Sequence, residues 1–164
     1  MQDRHKEEFD FIKKTATEVF LQDGYHQPML FLIHPSGVQM HAFECLTEQT
    51  KESLAGLIRS ALSNSDFQAA IFVSETWMAT SSDEEVVRDI VRHLQDKGTL
   101  EGHPHTTEAL TLNYNDGTNV ELYYAPILRD GDAGPRLGEW DELTSEKDRL
   151  EGRLAPRVPR PEWN

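Results

Sequence analysis

Residues 69–78 constrain the fold of this chain more than any other stretch. They are mostly small, β-branched or aromatic and include no proline or glycine, a composition typical of a strand inside a sheet. Because side chains alternate between the faces of a strand, Ile71 and Val73 share a face with Glu75 and Trp77. A carboxylate on that face must reach the rim of the sheet, find a partner or bind its proton more tightly. Glu75 is therefore a candidate catalytic residue, and the alternative is a hydrogen-bonded carboxylate where the strand emerges into solvent.

Apolar residues at helical spacing predict three helices, in residues 4–22, 47–62 and 82–97. The buried stripe predicted for the third helix consists of Val87, Ile90, Val91 and Leu94. Turn residues between apolar runs predict two hairpins, in residues 29–43 and 107–127. The order of these elements predicts an α+β fold, with an about five-stranded, mostly antiparallel sheet, three helices packed on it and an irregular C-terminal tail.

The register of the second hairpin depends on the length of its loop. A two-residue loop at Asp116 and Gly117 would place Leu112 opposite Glu121. A three-residue loop, with Gly117 as a left-handed bulge residue, places Leu112 opposite Val120 and brings the apolar residues of both strands to one face. These residues are Leu110, Leu112, Tyr114, Val120, Leu122 and Tyr124. We therefore predict the three-residue register.

The composition of the chain changes after Pro126. Residues 129–138 are charged and rich in glycine and proline, which predicts a linker, and residues 139–153 could form a short helix with a thin apolar stripe. We therefore predict a single α+β domain in residues 1–128, followed by a linker and tail in residues 129–164. We expect the tail to pack on protein, because it carries several large apolar side chains. The candidate interface residues are Trp77, Trp140, Leu143, Leu150 and Trp163.

The formal net charge of −13 excludes several classes of partner. Such a surface repels phosphate backbones and anionic membranes, so we expect no binding to nucleic acid or to membranes. The only cysteine, Cys45, excludes an internal disulfide and fits a reducing compartment. The N-terminal residues lack the apolar core of a signal peptide, and no apolar run approaches the ~20 residues that span a bilayer. We therefore expect a soluble, cytoplasmic protein.

One candidate metal site comes from the spacing of two histidines and an aspartate. His103 and His105, followed by Asp116, match the His-x-His-x10-Asp pattern of JAMM-type zinc peptidases, and Glu75 or Glu44 could activate the water. The match departs from that family's pattern, because Asp116 lies in a hairpin turn and not on a helix. No metal site and no cofactor are therefore favoured, and the null hypothesis is a polar loop at the end of a strand.

A second candidate for acid–base chemistry combines His34 and His41, which flank the first hairpin turn, with Glu75 on a neighbouring strand. Histidines at strand ends are usually half-exposed and carry no such role. The sequence contains no Gly-x-Gly-x-x-Gly, Walker A, Gly-x-Ser-x-Gly or Cys-x-x-Cys motif. No catalytic residue is therefore assigned, and all three remain candidates.

Two short segments carry a resemblance to other proteins. Residues 72–77 read Phe-Val-Ser-Glu-Thr-Trp, and residues 107–110, which read Thr-Glu-Ala-Leu, lead into a strand, an Asp-Gly turn and the segment 124–127. This pattern resembles a group of small bacterial and phage proteins that have a V-S-E-x-W strand followed by an E-A-L-x-L strand. That group has no assigned activity. The resemblance supports the fold prediction and places Glu75 and Trp77 among the residues to test.

These observations favour a non-enzymatic α+β module that binds protein, as a homo-oligomer or an adaptor. The absence of a strong catalytic signature, an open sheet and a tail with tryptophans all point in this direction. The first alternative is a small metal-dependent hydrolase that uses the His103 and His105 loop with Glu75. The second is an acidic inhibitor that mimics nucleic acid, although the acidic residues are scattered along the chain.

Overall fold

The computed structural model describes residues 1, 3–44, 48–63, 66–79, 81, 83–129 and 134–143. These residues form a short 3-10 helix, Asp3–His5, and three α-helices, α1 (Lys6–Asp23), α2 (Glu48–Ser63) and α3 (Glu84–Lys97). They also form seven strands: β1 (Met29–His34), β2 (Gly37–Ala42), β3 (Ala69–Ala79), β4 (Thr106–Asn115), β5 (Val120–Leu128), β6 (Arg136–Leu137) and β7 (Asp141–Glu142).

The strands pair in the order β2-β1-β3-β4-β5-β6, and β7 pairs with β5 as well. Every pairing is antiparallel. The α+β prediction is therefore confirmed, but the strand number is higher than the predicted five. The two additional strands, β6 and β7, each contain two residues, which is too short for an alternating pattern to be visible in the sequence.

Both faces of the sheet are covered over part of their area. On one face, Phe9 and Phe20 of α1 are buried against Ile71 and Val73 of β3 and their neighbours on β4. On the other face, the buried residues of α2 and the sheet form a second cluster that contains Leu54, Ile58, Leu30, Leu32 and Phe72. Each such side chain contributes about 1.5–3 kcal/mol when fully buried. The alternation predicted for β3 is confirmed, since odd-numbered residues face α1 and even-numbered residues face α2.

The helix ends follow from local chemistry, whereas the burial of α3 does not. Gly24 and Gly98 end α1 and α3 in the left-handed conformation, with φ of +77° and +71°. The predicted buried stripe of α3 is wrong, because only Ile90 is buried and Val87, Val91 and Leu94 are exposed. None of the helices in the described part of the chain is long and apolar enough to cross a membrane.

The predicted register of the second hairpin is wrong. Leu112 lies opposite Tyr123 and not opposite Val120, because the loop contains four residues, 116–119. The Asp116 carboxylate holds this loop by accepting the N–H groups of Thr118 and Asn119 at 2.9 and 2.7 Å. As a result, the residues of β5 that face the α1 side are Glu121, Tyr123, Ala125 and Ile127. The predicted core residues Val120, Leu122 and Tyr124 lie on the opposite face.

Residues 134–143 run alongside β5. The N–H of Gly138 donates to the carbonyl of Pro126, and the N–H of Leu143 donates to the carbonyl of Leu122, each at 2.8 Å. The helix predicted for residues 139–153 is therefore wrong for its described part, residues 139–143, and its remainder lies outside the described residues. The predicted division into residues 1–128 and 129–164 stays a prediction.

Candidate functional sites

Glu75 lies where β3 extends beyond the strand β1. In the sheet register, Met29 at the start of β1 is opposite Val73, so Glu75 has no β1 residue beside it. Its carboxylate instead accepts the backbone N–H of His26, in the connection between α1 and β1. On the other side Glu75 is paired with Leu110 of β4. The half-buried Glu75 carboxylate thus binds the chain just before β1, at the position where β3 has no β1 residue to pair with.

Arg129 joins Glu75 to a second carboxylate. Its Nε and Nη2 atoms donate to the two oxygens of Glu108 at 2.6 and 2.8 Å, and Nη2 also lies 3.7 Å from Glu75 Oε2. Glu108 is opposite Trp77 in the register, so both carboxylates and Trp77 share the α1 face of the sheet. Bidentate geometry makes the Arg129–Glu108 pair the stronger of the two contacts.

The charges of this cluster do not balance, since two carboxylates share one guanidinium. Burial raises the pKa of Glu75, and the nearby Glu108 raises it further, against the lowering effects of the His26 N–H and Arg129. Burial lowers the pKa of His26, although its hydrogen bond to the Gln27 carbonyl opposes that effect. The bond to Glu108 raises the pKa of Arg129. Glu75 can therefore hold a proton at a higher pH than an ordinary carboxyl group.

The raised pKa of Glu75 leads to a pH-dependent effect on stability. The folded protein binds this proton more tightly than the unfolded chain, so the contribution of Glu75 is favourable at low pH and is lost as the pH rises through its folded pKa. We expect Glu75→Gln to gain stability relative to the parent protein as the pH rises from about 4 to 7, by less than about 1 kcal/mol because solvent reaches the carboxylate. Chemical denaturation at several pH values measures this.

Glu101→Gln is the matched control, since Glu101 is an exposed carboxylate in the loop after α3. Its stability should run parallel to that of the parent protein across the same pH range. A constant difference between Glu75→Gln and the parent protein would contradict the prediction.

His34 and His41 do not meet Glu75. His34 lies at the far end of β1 from Glu75, with its ring against Phe67 and its Nδ1 2.8 Å from Ser36 Oγ. His41 is on β2, two strands away from β3, and lies 2.9 Å from the side chain of Gln39. The structure therefore does not bring these three candidate residues together. The histidine that does contact Glu75 is His26, through its backbone.

His103 and His105 lie together at the start of β4, with ring centroids 5.8 Å apart. The His103 ring is buried, and both of its nitrogens have a partner. Nδ1 accepts the N–H of His105 at 3.2 Å, and Nε2 is 3.1 Å from Asp89 of α3. Asp116 follows the other end of β4, about 33 Å away for a strand of ten residues. Glu75 pairs with Leu110, about 17 Å along the strand from His105. The four residues of the proposed zinc site are thus separated.

We expect no stoichiometric zinc on the purified protein. A zinc ligand needs a free ring nitrogen, and both nitrogens of His103 already make hydrogen bonds. No group of three potential metal ligands is close enough to hold an ion among the described residues. Elemental analysis measures the metal content. About one zinc per chain, lost in the double variant His103→Ala and His105→Ala, would contradict this expectation.

An open pocket lies between α3 and the loop before β4. Four of the six residues that line it are charged, and the residues are Glu85, Val86, Arg88, Asp89, Arg92 and His105. Both arginines already contact a carboxylate, Arg88 with Glu84 at 3.0 Å and Arg92 with Asp89 at 3.7 Å. The exposed apolar residues Val87, Val91 and Leu94 also belong to this helix.

A buried polar chain lies at the other end of β4. The Tyr114 hydroxyl is 2.7 Å from His5 Nδ1 and donates to Asp116 Oδ2 at 3.2 Å. A hydroxyl has one proton, so Tyr114 can donate to only one of these two partners at a time. His5 and Tyr114 are both fully buried. This chain connects the N-terminal segment to the β4–β5 loop, and it accounts for the position of Asp116.

The strand β2 is one end of the sheet. Its six residues include no Asp, Glu, Lys, Arg or Pro, and Val38 and Met40 are 46% and 59% exposed. They lie opposite Ile33 and Phe31, so they are on the same face as α1. Among the described residues, no segment pairs with the outer side of β2. By contrast, β6 and β7 both pair with the outer side of β5.

The predicted interface residues lie in different parts of the chain, and two of them are outside the described residues. Trp77 is half-buried beside the Glu75 cluster. Trp140 packs against the core under α1, and the Leu143 backbone pairs with β5. Leu150 and Trp163 lie outside the described residues.

The residues that the sequence prediction missed are His26, Glu108, Arg129 and Asp89. Glu108 could have been found, since it alternates with Leu110 and so shares a face with the partner of Glu75. His26 and Arg129 had no local signal, because they meet Glu75 only in the folded chain. These residues belong to two polar clusters, one around Glu75 and one around His103.

Comparison with known proteins adds no identification. No family model, no curated protein and no solved structure matches this chain. The resemblance to the bacterial and phage group with the V-S-E-x-W strand therefore stays a prediction, and the function has to be inferred from the geometry of the chain.

Proposed function

We propose that this protein is a protein-binding module that accepts a strand from its partner along the outer side of β2. The observation that carries the proposal is an uncharged six-residue strand at the end of the sheet, with exposed apolar side chains on one face. Free strand edges present unpaired N–H and C=O groups that pair readily with another chain. A protein that avoids such pairing usually places lysine, proline or a bulge on the edge strand, and β2 has none of these.

The hydrogen-bonding pattern of the first hairpin shows which groups of β2 are free. The N–H of Phe43 donates to the carbonyl of Pro28, and the register continues this pairing to Gly37 opposite His34. In an antiparallel ladder every second residue bonds the same neighbour, so Gln39 and His41 bond β1. The backbone groups of Val38, Met40 and Ala42 therefore point to the outer side of the sheet.

The other end of the sheet supports the same interpretation. There the chain uses its own residues 136–137 and 141–142 to pair with β5. The two ends of the sheet thus differ in the described residues. The β5 end is paired, and the β2 end, which has no Asp, Glu, Lys or Arg, is left unpaired.

We expect Met40→Lys to weaken strand addition at least about tenfold, because a lysine on an edge strand disfavours pairing. The probe is a short peptide of alternating Thr and Val residues, and its binding is followed by chemical-shift changes of the Val38, Met40 and Ala42 amides. Gln95→Lys, with the same added charge on exposed α3, is the matched control and should bind the peptide like the parent protein. If the peptide shifts no β2 amide of the parent protein, the proposal is wrong.

A further inference from the structure

We infer that the partner strand is the β2 of a second copy of this chain, paired antiparallel about a two-fold axis at Met40. This inference rests on the proposed function, and it names the occupant of the β2 edge. Three observations carry it: the hydrogen-bonding pattern of β2, the side chains that a two-fold axis would bring together, and the charge of the chain.

The hydrogen-bonding pattern selects one register. The outward residues Val38, Met40 and Ala42 are spaced symmetrically about Met40. With the axis at Met40, each Met40 pairs with its copy, and each Val38 pairs with Ala42 of the other chain. Because the backbone N–H and C=O groups of all of these residues point to the outer side of β2, the two residues of each pair form both of their backbone hydrogen bonds with each other. Shifting the axis by one residue in either direction leaves at least one outward residue unpaired.

The side chains are complementary in the same register. On the apolar face, the larger Val38 meets the smaller Ala42 and the flexible Met40 meets its copy. On the opposite face, Gln39 of each chain lies directly across from His41 of the other. Within one chain these two side chains already lie 2.9 Å apart, so they are suited to hydrogen-bond each other. The pattern is complementary to itself in reverse order, as an interface between identical surfaces requires.

The charge of the chain restricts where two copies can meet. Each copy carries a formal net charge of −13, so acidic surfaces repel each other. Residues 37–42 contain no Asp, Glu, Lys or Arg, and their one histidine, His41, lies across from Gln39 of the other copy, so the pairing places no like charges opposite each other. A foreign partner of an acidic protein would be selected by basic groups that meet acidic ones. The β2 edge has no acidic residue to select such a partner, which favours a second copy.

The pairing continues the apolar surface of each copy across the axis. The α1 helix contacts Tyr123 and Trp140 through its Lys13 side, so it lies toward β5, and Val38 and Met40 of β2 stay exposed on the same face of the sheet. On α1, Phe11 is 70% exposed and lies on the flank opposite Lys13 and Thr17. Pairing through six residues buries less area than a standard interface, so we expect a weak dimer, with a micromolar or weaker dissociation constant.

Complementary charges at Met40 test the register. We expect sedimentation velocity to show that the parent protein changes from monomer to dimer as its concentration rises. Met40→Lys and Met40→Glu should each raise the dissociation constant of the dimer at least about tenfold. A mixture of the two variants should restore a dimer, because the axis places Lys directly opposite Glu. The pair Gln95→Lys and Gln95→Glu, on exposed α3, should dimerise like the parent protein both separately and mixed.

The outcomes separate this inference from the proposed function. A parent protein that stays monomeric at all concentrations but binds the Thr and Val peptide overturns the second-copy inference and leaves strand addition standing. A dimer that survives both Met40 substitutions overturns the β2 interface. A dimer lost in each variant but not restored in the mixture overturns the two-fold axis at Met40. Circular dichroism of each variant shows that it is folded, as the exposure of Met40 leads us to expect.

Discussion

Replacing Trp140 by alanine should destabilise the protein by about 2–3 kcal/mol. The Trp140 ring packs against the core under α1, its Nε1 donates to Thr17 Oγ1 at 3.1 Å, and the Lys13 ammonium lies 5.3 Å from its centroid. Removing a largely packed indole loses its apolar burial, one hydrogen bond and a cation–π contact. Denaturant unfolding followed by circular dichroism measures the loss.

Two matched variants separate the parts of this effect. Trp140→Phe keeps most of the apolar contact and loses the hydrogen bond to Thr17, so it should cost about 1 kcal/mol. Phe11→Ala removes an aromatic ring from the exposed flank of the same helix and should change stability by less than about 0.5 kcal/mol. Truncation after Arg129 removes β6, β7 and Trp140 together and should cost more than Trp140→Ala alone. An unchanged melting temperature of Trp140→Ala would contradict the packing of this segment on α1.

Tyr114→Phe should destabilise the protein by about 1–3 kcal/mol, although it removes a single oxygen atom. Without the hydroxyl, the buried His5 Nδ1 has lost its 2.7 Å partner. A buried polar atom without a hydrogen-bond partner loses its hydration and gains nothing in return. Asp116 is affected less, because it still accepts the N–H groups of Thr118 and Asn119. The free energy of unfolding measures the cost.

A double-variant cycle shows whether the hydroxyl acts through His5. In the His5→Leu background the imidazole partner of the hydroxyl is gone, so Tyr114→Phe should cost at least about 1 kcal/mol less than in the parent protein. Tyr124→Phe is the control, because the Tyr124 hydroxyl is 3.4 Å from Asp141 at the surface and should contribute little. Equal costs of Tyr114→Phe in the two backgrounds would show that the His5–Tyr114 bond is not the source of the effect.

Much of the fold could be predicted from local patterns in the sequence. The alternation in residues 69–78 places Ile71 and Val73 on the core face, and both are fully buried. Glu75 shares that face, which predicts a carboxylate at the rim of the sheet or with a partner, and the structure shows both. The helices α1 and α3 end at Asp23 and Lys97, within one residue of the predicted ends at 22 and 97. These features depend on neighbouring residues of the chain, so a linear sequence contains the information that decides them.

The candidate sites were less predictable because their members are distant in sequence. Glu75 meets the backbone of His26 and the guanidinium of Arg129, and neither is marked by its own neighbours. The zinc-site hypothesis was wrong for the opposite reason, because its residues are close in sequence and distant in the fold. His105 and Asp116 have a suitable spacing in sequence, but a ten-residue strand between them keeps them about 33 Å apart.

The sequence by itself determined the three helices and the strands β1 to β5, the alternation of β3, the helix ends and the absence of Asp, Glu, Lys and Arg from β2, because each depends on local propensity or composition. The hairpin register was visible only in the structure, where the Asp116 carboxylate accepts the N–H groups of Thr118 and Asn119 and stabilises a four-residue loop against the shorter turns that the sequence allows. Tertiary structure decided how the elements meet. It also decided which apolar helix faces are covered. Amphipathic spacing predicts a face for α3, but whether protein lies over Val87 and Val91 depends on where the rest of the chain goes. That β2 is an end strand of the sheet among the described residues has the same origin, because a strand becomes an edge only through its position in the sheet.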